Sequence, residues 1–113
     1  MSRVANYRLL ENADYSDFNI MRGLIKNMGA LKKQAGTGDM VALSIYIDLK
    51  EAIYSGNSEL SSKQRQAVHL NLVHGIPQED VGEIMGLTQR TVNHHVRKGI
   101  DGVINFLMQE VEE

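Results

Sequence analysis

The chain has 113 residues, of which 42% are hydrophobic and 23% charged, a composition typical of one globular domain rather than of a disordered segment. It has no cysteine, which excludes disulfide bonds, thiolate zinc sites and cysteine nucleophiles. The formal charge of −2 argues against bulk electrostatic coating of nucleic acid, so any nucleic-acid site must be local. Because no apolar run reaches the ~18 residues of a membrane span and no secretory signal is visible, we expect a cytoplasmic protein without membrane contact.

The first part of the chain has a helical pattern, with apolar residues three and four positions apart. This spacing continues through every long segment and predicts an all-α protein, a helical bundle. Residues 1–13 carry only a weak pattern. Asp14 or Ser16 is expected to cap a first long helix that ends near Lys33. The predicted apolar face of this helix is Phe18, Met21, Leu24, Ile25, Met28 and Leu31.

A second helix is predicted after a glycine-containing loop at 35–39, with Asp39 as its cap and Gly56 as its end. Its predicted apolar set is Val41, Leu43, Ile45, Leu49, Ala52 and Ile53. Asp48 and Glu51 are spaced like an acid–base pair, but nothing predicts the pocket that such chemistry needs. A solvated helix face explains them better.

The next helix has clear start and stop signals. Ser61 and Gln64 have the spacing of a capping box, and Leu60 just before them fits a hydrophobic staple. The helix is predicted to run to about His74, where Gly75 suits a left-handed cap.

Two further helices are predicted at 77–85 and 89–109, joined by a tight turn at Gly86 and a cap at Thr88. A short helix, a turn and a capped second helix are the parts of a helix-turn-helix, whose second helix lies in the DNA major groove. Gly82 is small enough to let the two helices approach closely. The predicted small core between them is Val81, Ile84, Leu87, Val92 and Val96.

The last predicted helix carries polar side chains opposite its apolar arc. At 100° per residue, Val92 and Val96 share one arc, while Arg90, His94 and Arg97 share the other. Arginine pairs with guanine, and glutamine or asparagine with adenine, through two hydrogen bonds in the major groove. The predicted base contacts are Gln89, Arg90, Asn93, His94 and Arg97. The predicted phosphate contacts are Thr88, Thr91, Lys98, Lys63 and Arg65.

Four histidines, at positions 69, 74, 94 and 95, raise the question of a metal site. Zinc-binding helices use histidines four apart on one face, whereas adjacent residues point about 100° apart and the other pair is five apart. We therefore expect neither a metal nor a cofactor. His95 is expected to be partly buried, and His94 is the better candidate for contact with DNA.

Several short motifs together resemble the carboxy-terminal promoter-recognition module of bacterial sigma factors. They are LSSKQRQAV at 60–68, GIPQEDVG at 75–82, MGLT at 85–88, TV at 91–92 and KGI at 98–100. The resemblance covers about residues 59–108, and TVNHHV at 91–96 is also similar, more weakly, to the recognition helix of LuxR-type regulators. The resemblance implies a sigma-type helix-turn-helix that binds DNA through its last helix.

The chain also departs from this family. A complete sigma factor needs a further domain that binds core polymerase and melts promoter DNA with exposed aromatic residues, whereas this chain has two Phe, four Tyr and no Trp. Residues 1–58 do not alternate strands and helices like a receiver domain, so phosphorylation by a sensor kinase is not implied. Small proteins with helices ahead of such a module resemble sigma-like regulators of bacteriophages and prophages.

The chain is predicted to have two parts, an oligomerisation or partner-contact segment at 1–58 and a sigma-like DNA-binding module with an acidic tail at 59–113. The apolar faces of the first part exceed what two helices need to cover each other. They must pack on the module, on a second copy or on another protein. A homodimer and a compact monomer of five helices are both open.

The predicted function is sequence-specific regulation of transcription, through docking of helix 89–100 in the major groove of double-stranded DNA. RNA polymerase is a candidate second partner. One alternative is a protein-binding adaptor or inhibitor that occupies RNA polymerase or a sigma factor. Another is recognition of DNA for phage packaging or replication, as by a terminase small subunit. We do not expect an enzyme.

Overall fold

A computed structural model describes residues 14–111, which form α-helices and no β-strand. The helices are α1 Phe18–Lys26, α2 Met28–Gly36, α3 Met40–Tyr54, α4 Ser62–Val68, α5 Gln78–Met85 and α6 Gln89–Val111. The predicted all-α class is confirmed. The weak helical pattern at 1–13 and the last residues of the acidic tail lie outside the described part of the chain.

The cap of α1 is Asp17, whose side chain accepts a hydrogen bond from the Ile20 amide at 3.0 Å. The prediction of Asp14 or Ser16 in this role is wrong. Asp14 instead closes a turn before the helix, where its carboxylate accepts bonds from the amide and the hydroxyl of Ser16. These two bonds lower the pKa of Asp14, because both favour the charged carboxylate.

The segment predicted as one helix ending near Lys33 is two helices, α1 and α2, which separate at Asn27. Asn27 has φ −98° and ψ 12°, outside α-helical values, and its amide donates to the carbonyl of Gly23. Asn27 and the following Gly29 are poor helix formers, which favours a break here. The break allows α2 to pack along α3. α2 then continues to Gly36, beyond the predicted end.

The predicted cap of α3 is confirmed. The Asp39 side chain accepts a hydrogen bond from the Ala42 amide at 3.1 Å. The connection before it is limited to residues 37–39, shorter than the predicted loop. The helix ends at Tyr54, two residues before Gly56.

The inner face of α3 contains a charged residue that the sequence analysis placed in solvent. Asp48 is completely buried, because it lies in the same helical register as buried Ile45 and Ala52. The Tyr15 hydroxyl donates a hydrogen bond to its Oδ2 at 3.3 Å. The prediction of a solvated face is therefore wrong for Asp48, and Val41, predicted for the apolar face, is half exposed.

The predicted capping box at the start of α4 is confirmed. The Gln64 amide donates to the Ser61 hydroxyl at 3.1 Å, and the Ser61 amide donates to Gln64 Oε1 at 3.0 Å. Leu60 is buried, but it packs on the glycine surface of α6, where a methyl group added to Gly102 would lie 2.9 Å from Leu60 Cδ1. The glycines of α6 thus provide room for Leu60.

The carboxyl end of α4 passes into a π-helical turn, His69–Val73, in which the His74 amide donates to the His69 carbonyl at 3.0 Å. The end near His74 is as predicted, and Gly75 has the left-handed φ of 74°. Pro77 was predicted within the first turn of the next helix. It lies instead just before α5, with an extended ψ of 147°.

α6 is the central helix of the core, and α1, α3, α4 and α5 all pack against it. It runs without interruption past Gly99 and Gly102, as predicted. The buried apolar residues of these helices form one continuous cluster. The apolar faces of α1 and α3 therefore pack on the helix-turn-helix part of the same chain. No helix within residues 14–111 combines the length and the apolarity needed to cross a bilayer.

Candidate nucleic-acid interface

The turn between α5 and α6 holds the two helices in close contact. Gly86 has φ 72°, in the left-handed region that favours glycine, and the Leu87 amide donates to the Gly82 carbonyl at 2.8 Å. A methyl group added to Gly82 would lie 2.5 Å from the Leu87 carbonyl oxygen. The close approach predicted at Gly82 is therefore present.

Thr88 begins α6. The Thr91 amide donates to the Thr88 side-chain oxygen at 3.2 Å, and the two hydroxyl oxygens lie 3.0 Å apart. This arrangement confirms the predicted cap and fixes the first turn of the helix. Thr88 is exposed and Thr91 is half-buried, so the capped end of α6 faces solvent.

The apolar contact between α5 and α6 is formed by fewer residues than predicted. Val81, Val92 and Val96 are buried and Leu87 is half-buried, whereas Ile84 is 58% exposed. The inner side of α5 consists of positions 81, 82 and 85, and position 84 lies beyond its edge. The assignment of Ile84 to this core is wrong.

The outer face of α6 is polar and accessible over its first three turns. The five side chains predicted to contact bases are all exposed: Gln89, Arg90, Asn93, His94 and Arg97. Arg97 is also held by the amino-terminal part of the chain, since its guanidinium carbon lies 5.2 Å from the centre of the Phe18 ring. Sequence reasoning placed Phe18 on an apolar face and gave no signal for this contact.

Asn93 takes part in a chain of side-chain amides that the sequence analysis missed. Gln78 Nε2, at the start of α5, donates to Asn93 Oδ1 at 3.3 Å and to Asn71 Oδ1 at 3.4 Å. Asn71 lies in the π-helical turn, and its Nδ2 donates to the Ile76 carbonyl at 2.8 Å. The three amides come from three different elements, so no local sequence pattern indicates them.

The basic residues predicted to contact phosphate differ in their surroundings. Lys63 and Lys98 are exposed. Arg65 is half-buried, and its Nε donates to the Ile53 carbonyl at 2.7 Å while Nη2 donates to the Leu60 carbonyl at 3.2 Å. Arg65 therefore joins the end of α3 to the start of α4.

The histidine pairs have unlike environments. His94 is exposed, whereas His95 is half-buried, and its Nδ1 is buried without a hydrogen-bond partner. The partial burial expected for His95 is confirmed, and the contact of His94 with DNA stays a prediction. The other pair has a spacing of five, unlike the spacing of four in zinc-binding helices, and the π-helical turn brings the His69 and His74 rings to a centroid distance of 4.4 Å. Within residues 14–111 no cluster of three or more His, Asp or Glu residues forms around them.

His69 has a further partner on α3, because its Nδ1 lies 2.6 Å from the Tyr54 hydroxyl. Burial, and secondly the nearby His74, lower the pKa of His69, since both disfavour its protonated form. The Nδ1 of a neutral ring can accept a hydrogen bond from the Tyr54 hydroxyl. Burial raises the pKa of Tyr54, so its hydroxyl keeps that proton.

The capped turn between α5 and α6, with polar side chains along the outer face of α6, defines a helix-turn-helix domain of the DNA-binding class. Residues 51–100 match the family described as Sigma-70, region 4. Residues 51–100 are therefore similar to a family of DNA-binding, non-enzymatic domains, and the sigma-factor resemblance is confirmed. Searches of curated proteins and of solved structures gave no significant match.

Proposed function

We propose that the protein is a sequence-specific DNA-binding regulator of transcription, of bacterial or phage origin, that reads the major groove through residues 89–100. The observation that carries the proposal is the polar outer face of α6, which is exposed while the opposite side of the same helix is anchored in the core. A rigid helix of 12 residues is about 18 Å long. It fits a major groove about 12 Å wide with its amino-terminal turns nearest the bases.

The proposed base contacts are the five exposed side chains at the start of α6: Gln89, Arg90, Asn93, His94 and Arg97. Arg90 and Arg97 are proposed to bind guanine, because a guanidinium donates two parallel hydrogen bonds to its N7 and O6. Stacking on Phe18 limits the rotation of the Arg97 guanidinium before DNA is bound. Such preorganisation lowers the entropy lost on binding.

The proposed phosphate contacts flank this face. Thr88, Thr91 and the amides of the capped turn lie where a phosphate gains from the helix dipole. Lys63 and Lys98 add positive charge, and Arg65 keeps this assignment although two of its nitrogens already bind carbonyls. These contacts fix the position of the helix without reading sequence.

The division into residues 1–58 and 59–113 is retained as a proposal about roles. The first segment is proposed to contact a second copy of the chain or RNA polymerase. Its support is the outer side of α3, where Met40, Val41 and Ile47 are 67%, 50% and 45% exposed. A homodimer would place two modules on neighbouring half-sites and multiply their affinity.

The same exposed residues favour a second candidate function. In this second function, the chain is an adaptor or inhibitor that binds RNA polymerase or a sigma factor through α3 and does not itself bind DNA. Both functions are non-enzymatic and place the protein in the cytoplasm. They differ in whether the purified chain binds duplex DNA directly.

The test of the proposal is selection of binding sites from a random duplex library, followed by affinity measurements over a salt series. Direct binding predicts that log affinity falls linearly with log salt concentration, because bound phosphates release counterions. Replacing Arg90 and Arg97 by alanine should cost about 1–3 kcal/mol each on the selected site, or roughly 5-fold to 150-fold in Kd.

The matched control is the double variant K32A/K33A, which removes two exposed cations from α2 and changes the net charge by the same amount. The control should keep the selected site with little loss of affinity. Selection of no site by the wild type would overturn the proposal in favour of the adaptor. Equal losses in the two double variants would overturn the assignment of the arginines.

A further inference from the structure

Gln78 lies outside the recognition helix but contacts a residue proposed to read a base. The amide chain from Ile76 through Asn71 and Gln78 to Asn93 has a defined direction. The direction is fixed at one end by the backbone carbonyl of Ile76, which accepts hydrogen bonds and never donates them. The Asn71 amide must therefore turn its NH2 group toward Ile76.

The orientation of each side-chain amide fixes that of the next one. With its NH2 on Ile76, Asn71 presents its oxygen to Gln78, and that oxygen requires a donor. Gln78 accordingly presents its NH2 to both neighbours, Asn71 Oδ1 at 3.4 Å and Asn93 Oδ1 at 3.3 Å. Asn93 is left with its oxygen toward the protein and its NH2 directed away from Gln78.

We propose that Gln78 is a positioning residue that sets which edge of the Asn93 amide faces DNA, and hence which base is recognised there. This inference rests on the proposed function, since it assumes that Asn93 contacts a base. An outward NH2 is a donor and binds an acceptor in the major groove. Guanine presents two neighbouring acceptors, N7 and O6, whereas cytosine presents only the N4 donor. The wild type should therefore favour guanine over cytosine at the contacted base.

The decisive variant is Gln78→Glu, which replaces the inward donor by a carboxylate. Asn71 cannot turn to meet it, because its NH2 stays on the Ile76 carbonyl. Asn93 can turn, and it then donates to the carboxylate and directs its oxygen outward. An outward oxygen accepts from cytosine N4 or adenine N6. The base preference should therefore change from guanine to cytosine or adenine.

The experiment measures the Kd of each variant for four duplexes that differ only at the base pair contacted by Asn93. That base pair is located with Asn93→Ala, which should lose its preference there. The preference of wild type for guanine over cytosine, and the reverse preference of Gln78→Glu for cytosine over guanine, should each be about fivefold to tenfold, the worth of one hydrogen bond. When Asn93 is already replaced by alanine, adding Gln78→Glu should not change the relative Kd values for the four duplexes.

Two controls separate positioning from general effects. Gln34→Glu makes the same substitution at an exposed site on α2 and should leave the preference unchanged. Gln78→Met removes the amide without adding charge and should reduce the preference for guanine over cytosine to about twofold or less, a small fraction of one hydrogen bond. This variant keeps the test available if Gln78→Glu is unfolded.

The outcomes distinguish this inference from the proposed function. A wild type that binds duplex DNA with no sequence preference overturns both. A wild type that selects a site, with Gln78 variants that bind more weakly but rank the four duplexes as the wild type does, overturns the positioning role alone. A change of preference that persists without Asn93 also overturns it.

Discussion

Substitution of Gly82 by alanine probes the contact that fixes the recognition helix. The added methyl group would lie 2.5 Å from the Leu87 carbonyl oxygen, whereas ordinary contacts begin at 3.4 Å, so the two must separate by about 0.9 Å. The neighbour is backbone, and its turn is closed by the hydrogen bond from the Leu87 amide to the Gly82 carbonyl. To remove this steric clash, α5 must move away from the start of α6.

Two opposing effects determine how much Gly82→Ala changes the free energy of unfolding. Alanine is favoured over glycine within a helix by about 0.8–1 kcal/mol. Overpacking costs about 1–3 kcal/mol, and backbone contacts such as that at Gly82 belong in the upper part of this range or above it. We expect a net loss of about 2 kcal/mol in the free energy of unfolding.

The assay is urea denaturation followed by circular dichroism, with Gly23→Ala as the control. Gly23 is also helical, is exposed on α1 and has no atom within 4 Å of the added methyl position. Its substitution should raise the free energy of unfolding by about 0.5–1 kcal/mol. If Gly82→Ala were as stable as wild type, the close approach of the two helices would be wrong.

Three further predictions concern the elements around the module. Ser61→Ala removes a capping-box acceptor and should lower the free energy of unfolding by about 1 kcal/mol in urea denaturation, and no loss would contradict the cap. Arg65→Met should cost about 1.5–3 kcal/mol because it removes two charged hydrogen bonds to carbonyls, whereas Lys63→Met should cost little; equal effects would refute the distinction. The folded state lowers the pKa of His69, so the unfolded state binds more protons below about pH 6.5 and stability falls on acidification. Chemical denaturation at pH 7.5 and 5.5 should show that His69→Asn loses less stability on acidification than the wild type. An equal loss in the two proteins would exclude His69 as a cause of the pH dependence.

Local signals were sufficient to predict the parts of the structure set by neighbouring residues. The capping box at Ser61, the Thr88 cap, the left-handed Gly86 and the close approach at Gly82 each depend on residues a few positions apart. Such features can be read from sequence because a cap or a turn has strict requirements for residue type. They were enough to identify the helix-turn-helix and its exposed face.

Features that depend on tertiary contacts were missed. Asp48 is polar by type but lies in the buried register of α3, opposite Tyr15 from a distant part of the chain. The π-helical turn brings together the rings of His69 and His74, whose spacing of five was interpreted with α-helical geometry. The Gln78 contact to Asn93 joins residues on two helices. In each case the determining partner lies outside the local pattern.

Dimethyl sulfate interference on the selected site tests the central claim most directly, because one reaction probes both grooves. The reagent methylates guanine N7 in the major groove and adenine N3 in the minor groove. If α6 lies in the major groove with Arg90 on guanine, methylation of guanine N7 within the site should block binding, and methylation of adenine N3 beside it should not. Binding that tolerates every methylated guanine but is blocked by methylated adenines would contradict the account.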